Sequence, residues 1–220
     1  YYHARAQRTK ERALYEKAIQ RYQEFFERFP DDKWRIYEFK YNMAEIYDTL
    51  GQYEKAADLY EYVAMQNLSS YPEYRREVDT LGLDQEEVEK LKKEASKQGP
   101  TAISQEDAGY NVIVSLDKSR KKTMAREGLT DEQSLSLPQT ERLLSFIHKF
   151  QQKFPQSSDA PEVLYIGGNI YYLGKAYNKA ISEFRSLIDQ YPNWRKLERA
   201  QRMLPTINVN LGLYNLALAE

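Results

Sequence analysis

The strongest constraint on this chain is a spacing that it uses twice in full and twice in part. Tyr47, Ala56, Tyr60 and Val63 are separated by nine, four and three residues. Tyr171, Ala180, Phe184 and Leu187 show the same intervals, and Pro192 follows five later. Ala18, Tyr22, Phe25 and Pro30 repeat the second half, as do Leu143, Ile147, Phe150 and Pro155. Intervals of three and four place side chains on one face of a helix, and a proline ends it. Each full unit therefore reads as a hairpin of two short amphipathic helices. The most regular one covers residues 164–192, with its break at 173–176, and residues 41–64 say the same thing. Hairpins that recur along a chain cannot each bury their own apolar face, so they stack.

Between these units the pattern varies. Residues 1–30 read as one helix whose apolar stripe is Ala13, Leu14, Ala18, Tyr22, Phe25, Phe26 and Phe29, stopped by Pro30. Helices at 35–50 and 53–66 follow, with Gly51 at the hinge, where a helix C-terminus favours a left-handed residue. The pattern breaks at 67–104, an inserted segment with a short charged helix at 84–97. A long helix at 106–126 ends in the basic run KSRKKTMARE. In the repeat register only its first part, to Leu116, is a hairpin helix, which leaves 118–137 as an extended loop before the partner helix at 139–154. After Pro192 a helix is expected at 196–210, kinked at Pro205, then a turn at Gly212 and a last helix from Tyr214. No stretch alternates as a strand would. The expected fold is all-α, an α-solenoid of about five helical hairpins in a right-handed superhelix, divided as 1–66, 67–104 and 105–220.

Composition narrows the partners. The 32 Lys and Arg nearly cancel the 33 Asp and Glu, which gives no electrostatic case for nucleic acid or for an anionic membrane. There is no Cys, so disulfides, thiolate metal sites and cysteine nucleophiles are excluded. No run is long and apolar enough to span a membrane. Nineteen Tyr against eight Phe suit shallow cores with much amphipathic surface. The abrupt start at Tyr1-Tyr2 and the end within an apparent helix point to a fragment of a longer protein.

The four matches in register resemble the tetratricopeptide repeat, whose pattern has a Tyr in the first helix, then A-x-x-x-F and a Pro. The small residue lets the paired helices approach, and the aromatic fills the space below it. The family's early Trp is replaced by Lys40 and Leu164, and its first-helix Gly is Ala44 in one repeat and Gly168 in another. The small or apolar positions Ala18, Ala56, Leu143, Ala180 and Ala217 lie 38, 87, 37 and 37 apart, against about 34 for the usual repeat. The resemblance covers about 1–66, 106–117 and 138–220. Long repeats with Phe29-Pro30, Phe154-Pro155 and Tyr191-Pro192 at their turns look like those of bacterial envelope proteins. Two such groups are the periplasmic repeat protein associated with the Tol–Pal system and the lipoproteins of outer-membrane assembly. This second resemblance implies a periplasmic or outer-membrane-associated location, with the cytoplasm as the alternative. The lipid-bearing Cys of those lipoproteins has no counterpart here.

A solenoid of this kind presents its first helices along a concave face. The expected partner-binding residues are Tyr41, Asn42, Glu45, Tyr110, Asn111, Tyr165, Asn169 and Tyr172, with the competing expectation that the tyrosines pack against adjacent repeats. Tetratricopeptide domains that clamp acidic chaperone C-termini pair a Lys with an Asn one turn apart. Asn169 fits such an Asn, but Tyr165 stands where the Lys belongs and Tyr41 is followed by Glu45. The five cations of 118–126 read as a solvated helix end. His3 and His148 match no catalytic or metal-ligand spacing, and Gly167-Gly168 fits close helix approach better than phosphate binding. The sequence thus points to a non-catalytic protein-interaction scaffold without cofactor, one part of a larger complex, that holds a peptide, helix or partner subunit. The alternative is a regulatory or substrate-recruiting module of a larger enzyme or cytosolic complex.

Overall fold

The computed structural model describes residues 2–68 and 104–217, with side chains as far as Gly212. The helix expected at 84–97 lies outside the described residues, and so does nearly all of the 67–104 insertion. Among the described residues there are helices and turns and no strand. The chain divides into two compact units, residues 1–115 and 116–220.

The first unit holds α1 (Tyr2–Thr9), α2 (Arg12–Arg28), α3 (Lys33–Thr49), α4 (Tyr53–Met65) and the first half of α5 (Gln105–Glu127). The single helix expected over 1–30 is in fact two. Lys10 turns left-handed, with φ 59, and α1 folds back on α2. No Gly or Pro marks this break. Packing makes it, because the hairpin buries Ala6 completely and brings His3 Nδ1 to 3.3 Å from the Tyr22 hydroxyl. On α2 the buried side is Tyr15, Ala18 and Ile19, while Ala13 is exposed and Phe29 remains 45% exposed. Asp32 caps α3 by accepting from the Arg35 N–H at 3.2 Å. Gly51, with φ 69, ends it in a Schellman turn. The Gln52 N–H reaches the Tyr47 carbonyl at 2.8 Å, and the Gly51 N–H reaches Asp48 at 3.0 Å. Between α3 and α4 the seam is closed, with Ala44, Ile46, Ala56, Ala57, Val63 and Ala64 fully buried.

The second unit holds the rest of α5, then α6 (Asp131–Ser134), α7 (Pro138–Lys153), α8 (Ala160–Leu173), α9 (Tyr177–Gln190) and α10 (Leu197–Ala217). The loop expected at 118–137 is mostly helix, since α5 continues to Glu127. Its polar residues read as solvated, yet Ser119, Arg120 and Thr123 are buried. The Arg120 guanidinium donates to Asp117 at 3.1 Å and to the Ser134 hydroxyl at 3.2 Å, so α6 is tied back onto α5. Arg120 is therefore not one of the solvated cations, whereas Lys121, Lys122 and Arg126 are exposed. Gly128, with φ 65, ends the helix, and a Thr130–Gln133 capping box starts α6.

The expected turn at Gly212 is absent, because α10 runs unbroken through Pro205 and Gly212. Fully buried Ala200 and Ile207 hold it against α9 across the carbonyl left unpaired by Pro205. Lys175 takes the left-handed position at the α8–α9 hinge, with φ 59, where the earlier hairpin has Gly51.

The two adjacent glycines of α8 face different neighbours. A methyl at Gly168 would meet the Phe184 ring at 2.8 Å, and that ring is fully buried. One at Gly167 would meet Ile147 at 3.4 Å, an ordinary contact. Gly168→Ala is expected to lower unfolding stability by about 1–3 kcal/mol through overpacking. Gly167→Ala is expected to be neutral or stabilising, by up to about 1 kcal/mol from helix propensity. Paired denaturant melts check both, and equal losses would contradict this account of the seam.

Gly51→Ala forces a side chain into the left-handed region and is expected to destabilise by about 1–2 kcal/mol, read as a lower midpoint at unchanged slope.

Candidate functional site

In the first unit the expected residues of α3 and α5 do converge. The Asn111 amide donates to the Tyr41 hydroxyl across a long hydrogen bond of 3.4 Å. Tyr41 stands edge-on to Tyr60 of α4 at 5.4 Å between centroids. Asn42 hydrogen-bonds to Tyr22 of α2, whose ring lies 5.0 Å from Phe39. Tyr110 is half-buried on the same helix as Asn111.

Glu45 sits among these phenols. Its carboxylate makes no hydrogen bond and no ion pair with the described residues, although burial has pushed its pKa up. The same carboxylate helps raise the phenol pKa of Tyr22, Tyr41 and Tyr60. In each of the three burial is the larger cause, and Tyr22 is pushed up to about 12. Asp48, one turn along, is occupied, since its Oδ1 accepts from the buried Ser115 hydroxyl at 3.2 Å.

Sequence reasoning missed Tyr22 and Tyr60, because both sit at seam positions of second helices and read as core. It also could not tell that Glu45 is left without a partner among the described residues, a property of three helices rather than of one.

In the second unit the eight residues separate further. Tyr165 lies 5.6 Å from Phe184 and 5.7 Å from Trp194, so it packs within the repeat and against the turn after it. Tyr172 keeps a half-buried ring and accepts from the Asn210 amide at 3.1 Å. Asn169 is half-buried beside it on α8.

One pair here had no sequence signature. His148 Nε2 lies 3.4 Å from Oε1 of Glu183, a buried acid on α9. Burial pushes the Glu183 carboxyl up, and the His148 charge partly offsets this. His148 is thus exposed but engaged.

These faces offer phenol hydroxyls, amides and a carboxylate: groups that hold a partner by hydrogen bonds and charge. Among the described residues no group of three or more His, Asp or Glu could hold a metal ion. No described helix is long and apolar enough to cross a membrane.

The Glu45 environment has a pH signature. A carboxyl whose folded pKa lies above its unfolded value binds its proton more tightly in the folded chain. Stability is therefore lost as pH rises through the carboxylate range, and the loss is complete above the folded pKa. Glu45→Gln removes that loss. The variant is expected to melt higher than wild type at neutral pH, with the difference vanishing below about pH 4, where the acid is neutral in both states. A gain of the same size at every pH would contradict the assignment.

Residues 162–193, which span α8, α9 and the Tyr191-Pro192 turn, match the family model described as Tetratricopeptide repeat. No curated protein matches the chain. Repeats of this family generally mediate protein–protein interaction. The chain thus carries a tetratricopeptide repeat within an all-α fold of helical hairpins.

Proposed function

We propose that this protein is a non-catalytic scaffold that holds a peptide, helix or partner subunit on the faces of its first helices. One observation carries the reading. Within each unit the second-helix seam is closed while the first-helix polar residues stay accessible. Ala56, Val63, Ala180, Phe184 and Leu187 are fully buried, whereas Tyr41, Asn42, Glu45, Asn169 and Tyr172 are half-buried. Tyrosine is among the side chains that protein interfaces favour, and amides beside it can supply hydrogen bonds. Tyr165 is excluded from this set by its packing on Phe184 and Trp194.

The proposed setting is a bacterial envelope complex, periplasmic or associated with the outer membrane. Its support is the length of the repeats and the aromatic-proline turns at Pro30, Pro155 and Pro192.

The experiment is site-specific photo-crosslinking in native lysate. A crosslinker at Asn42 or Asn169 is expected to give discrete adducts with a protein partner. One at Asp58 or Arg185, on exposed sides of α4 and α9, is expected to give none. Adducts of equal yield from all four positions, or none from the first-helix positions, would overturn the proposal.

A further inference from the structure

Glu45 stands out among the described acids of the first unit, because burial acts on its carboxyl and no ion pair or hydrogen bond compensates it. On the surface Glu16, Glu24 and Glu198 pair with arginines one turn away, at 2.8, 2.6 and 3.4 Å. Asp117 pairs with Lys121 at 2.6 Å, and Glu162 pairs with Lys196 at the same distance. Glu45 is more enclosed than the surface acids, yet its carboxylate has no cation and no hydrogen-bond donor among the described residues. A partly desolvated charge without a partner is unfavourable to keep. The nearest basic residue along α3 does not serve it. Lys40, the one basic residue of α3 past its first turn, stands over the Tyr62 ring at 3.5 Å. The charges that act on Tyr41 and Tyr60 are all negative, from Glu45, Asp48 and Asp107.

The surroundings also select the kind of cation. Tyr41, one turn before Glu45 on α3, and Tyr22 on α2 keep half-exposed rings, while Tyr60, edge-on to Tyr41 at 5.4 Å, is buried, and the Glu45 charge acts on all three phenols. Aromatic faces beside an acid suit a planar guanidinium, which can stack on a ring while donating two N–H groups to one carboxylate. An ammonium would gain the charge pair but not the stacking.

We propose that Glu45, between Tyr22, Tyr41 and Tyr60, receives an arginine side chain of a protein partner. The inference rests on the reading of the first-helix faces as docking surfaces and adds the chemistry of the occupant. It explains why an acid that weakens the fold stands at this position.

The test uses the whole chain, isotope-labelled, titrated with a capped Gly/Ser peptide that carries two adjacent arginines. Lysine and glutamate counterparts of the peptide serve as comparisons. The arginine peptide is expected to shift the amide signals of Tyr41, Asn42 and Glu45. The lysine peptide should bind more weakly and the glutamate peptide not at all. Glu45→Gln keeps the shape of the side chain and should weaken arginine-peptide binding by about tenfold or more, as loss of a charge-assisted pair does. Arginine-dependent shifts that map elsewhere, or an affinity unchanged in Glu45→Gln, would overturn the proposal. The wild-type map alone decides the matter if the variant proves perturbed. Crosslinks from Asn42 and Asn169 that persist alongside a negative peptide result would leave the scaffold reading standing and remove only the arginine. Loss of both would remove the two together.

Discussion

The second unit depends on the distance at which α8 and α9 pass one another. Gly168 has no side chain where the Phe184 ring lies, and the space that a methyl would need is already filled. That contact sets the spacing of the pair. Ala180 and Leu187, one turn to either side of Phe184, are then buried completely, each contributing on the order of 1–3 kcal/mol by leaving water. In the first unit the small residue is Ala44 and the ring is Tyr60, with the same outcome for Ala56 and Val63. Because the seam takes up most of the apolar side chains, the accessible faces of the first helices are largely polar, with Leu173 at the end of α8 an exception. The division between a closed seam and an accessible face is a consequence of close approach, and so is the type of chemistry that the face can offer.

What could be read from the sequence follows the same division. The small-aromatic intervals report contacts inside one hairpin, such as that of Gly168 with Phe184, and those came through: the hinges at Gly51 and 173–176, the buried Ala and Phe positions, the ends near the prolines. Features that depend on another hairpin did not. The break at Lys10 exists because α1 gains more by folding onto α2 than by continuing it, and Lys is no turn residue. The repeat register assigned the stretch after Asp117 to a loop, whereas its buried side is built from Ser119, Arg120 and Thr123, and the partner of Arg120 on α6 lies beyond a glycine turn. Local propensity cannot report an arginine that is satisfied fourteen residues away.

The candidate site was legible in outline and not in role. Register placed Tyr41, Asn42, Glu45 and Asn111 together, and they are together. Register also placed Tyr165 in the set, but the turn after α9 brings Trp194 against it, and nothing in the repeat pattern anticipates that residue. Tyr22 and Tyr60 make the opposite point. Their rings obey the pattern, while the charge of the acid on α3 acts on their hydroxyls, so one side chain belongs to the seam at one end and to the face at the other.

The two amide–phenol contacts bear on how such a face would bind. Asn111 donates to Tyr41, and Asn210 donates to Tyr172, each from a later helix of the same unit. A phenol oxygen that accepts an amide proton still carries its own O–H for donation. Its ring is also held by a neighbour, Tyr60 at 5.4 Å for Tyr41 and Tyr177 at 6.2 Å for Tyr172. The hydroxyl therefore points in a direction fixed before any partner arrives. A donor on a free side chain would lose about 0.5–1.5 kcal/mol of rotamer entropy on binding, and a donor fixed in advance has already lost it during folding. The same reasoning separates Glu45 from these tyrosines. Its ring of neighbours is in place, but nothing inside the described chain satisfies its charge, so the face is pre-arranged in geometry and incomplete in electrostatics.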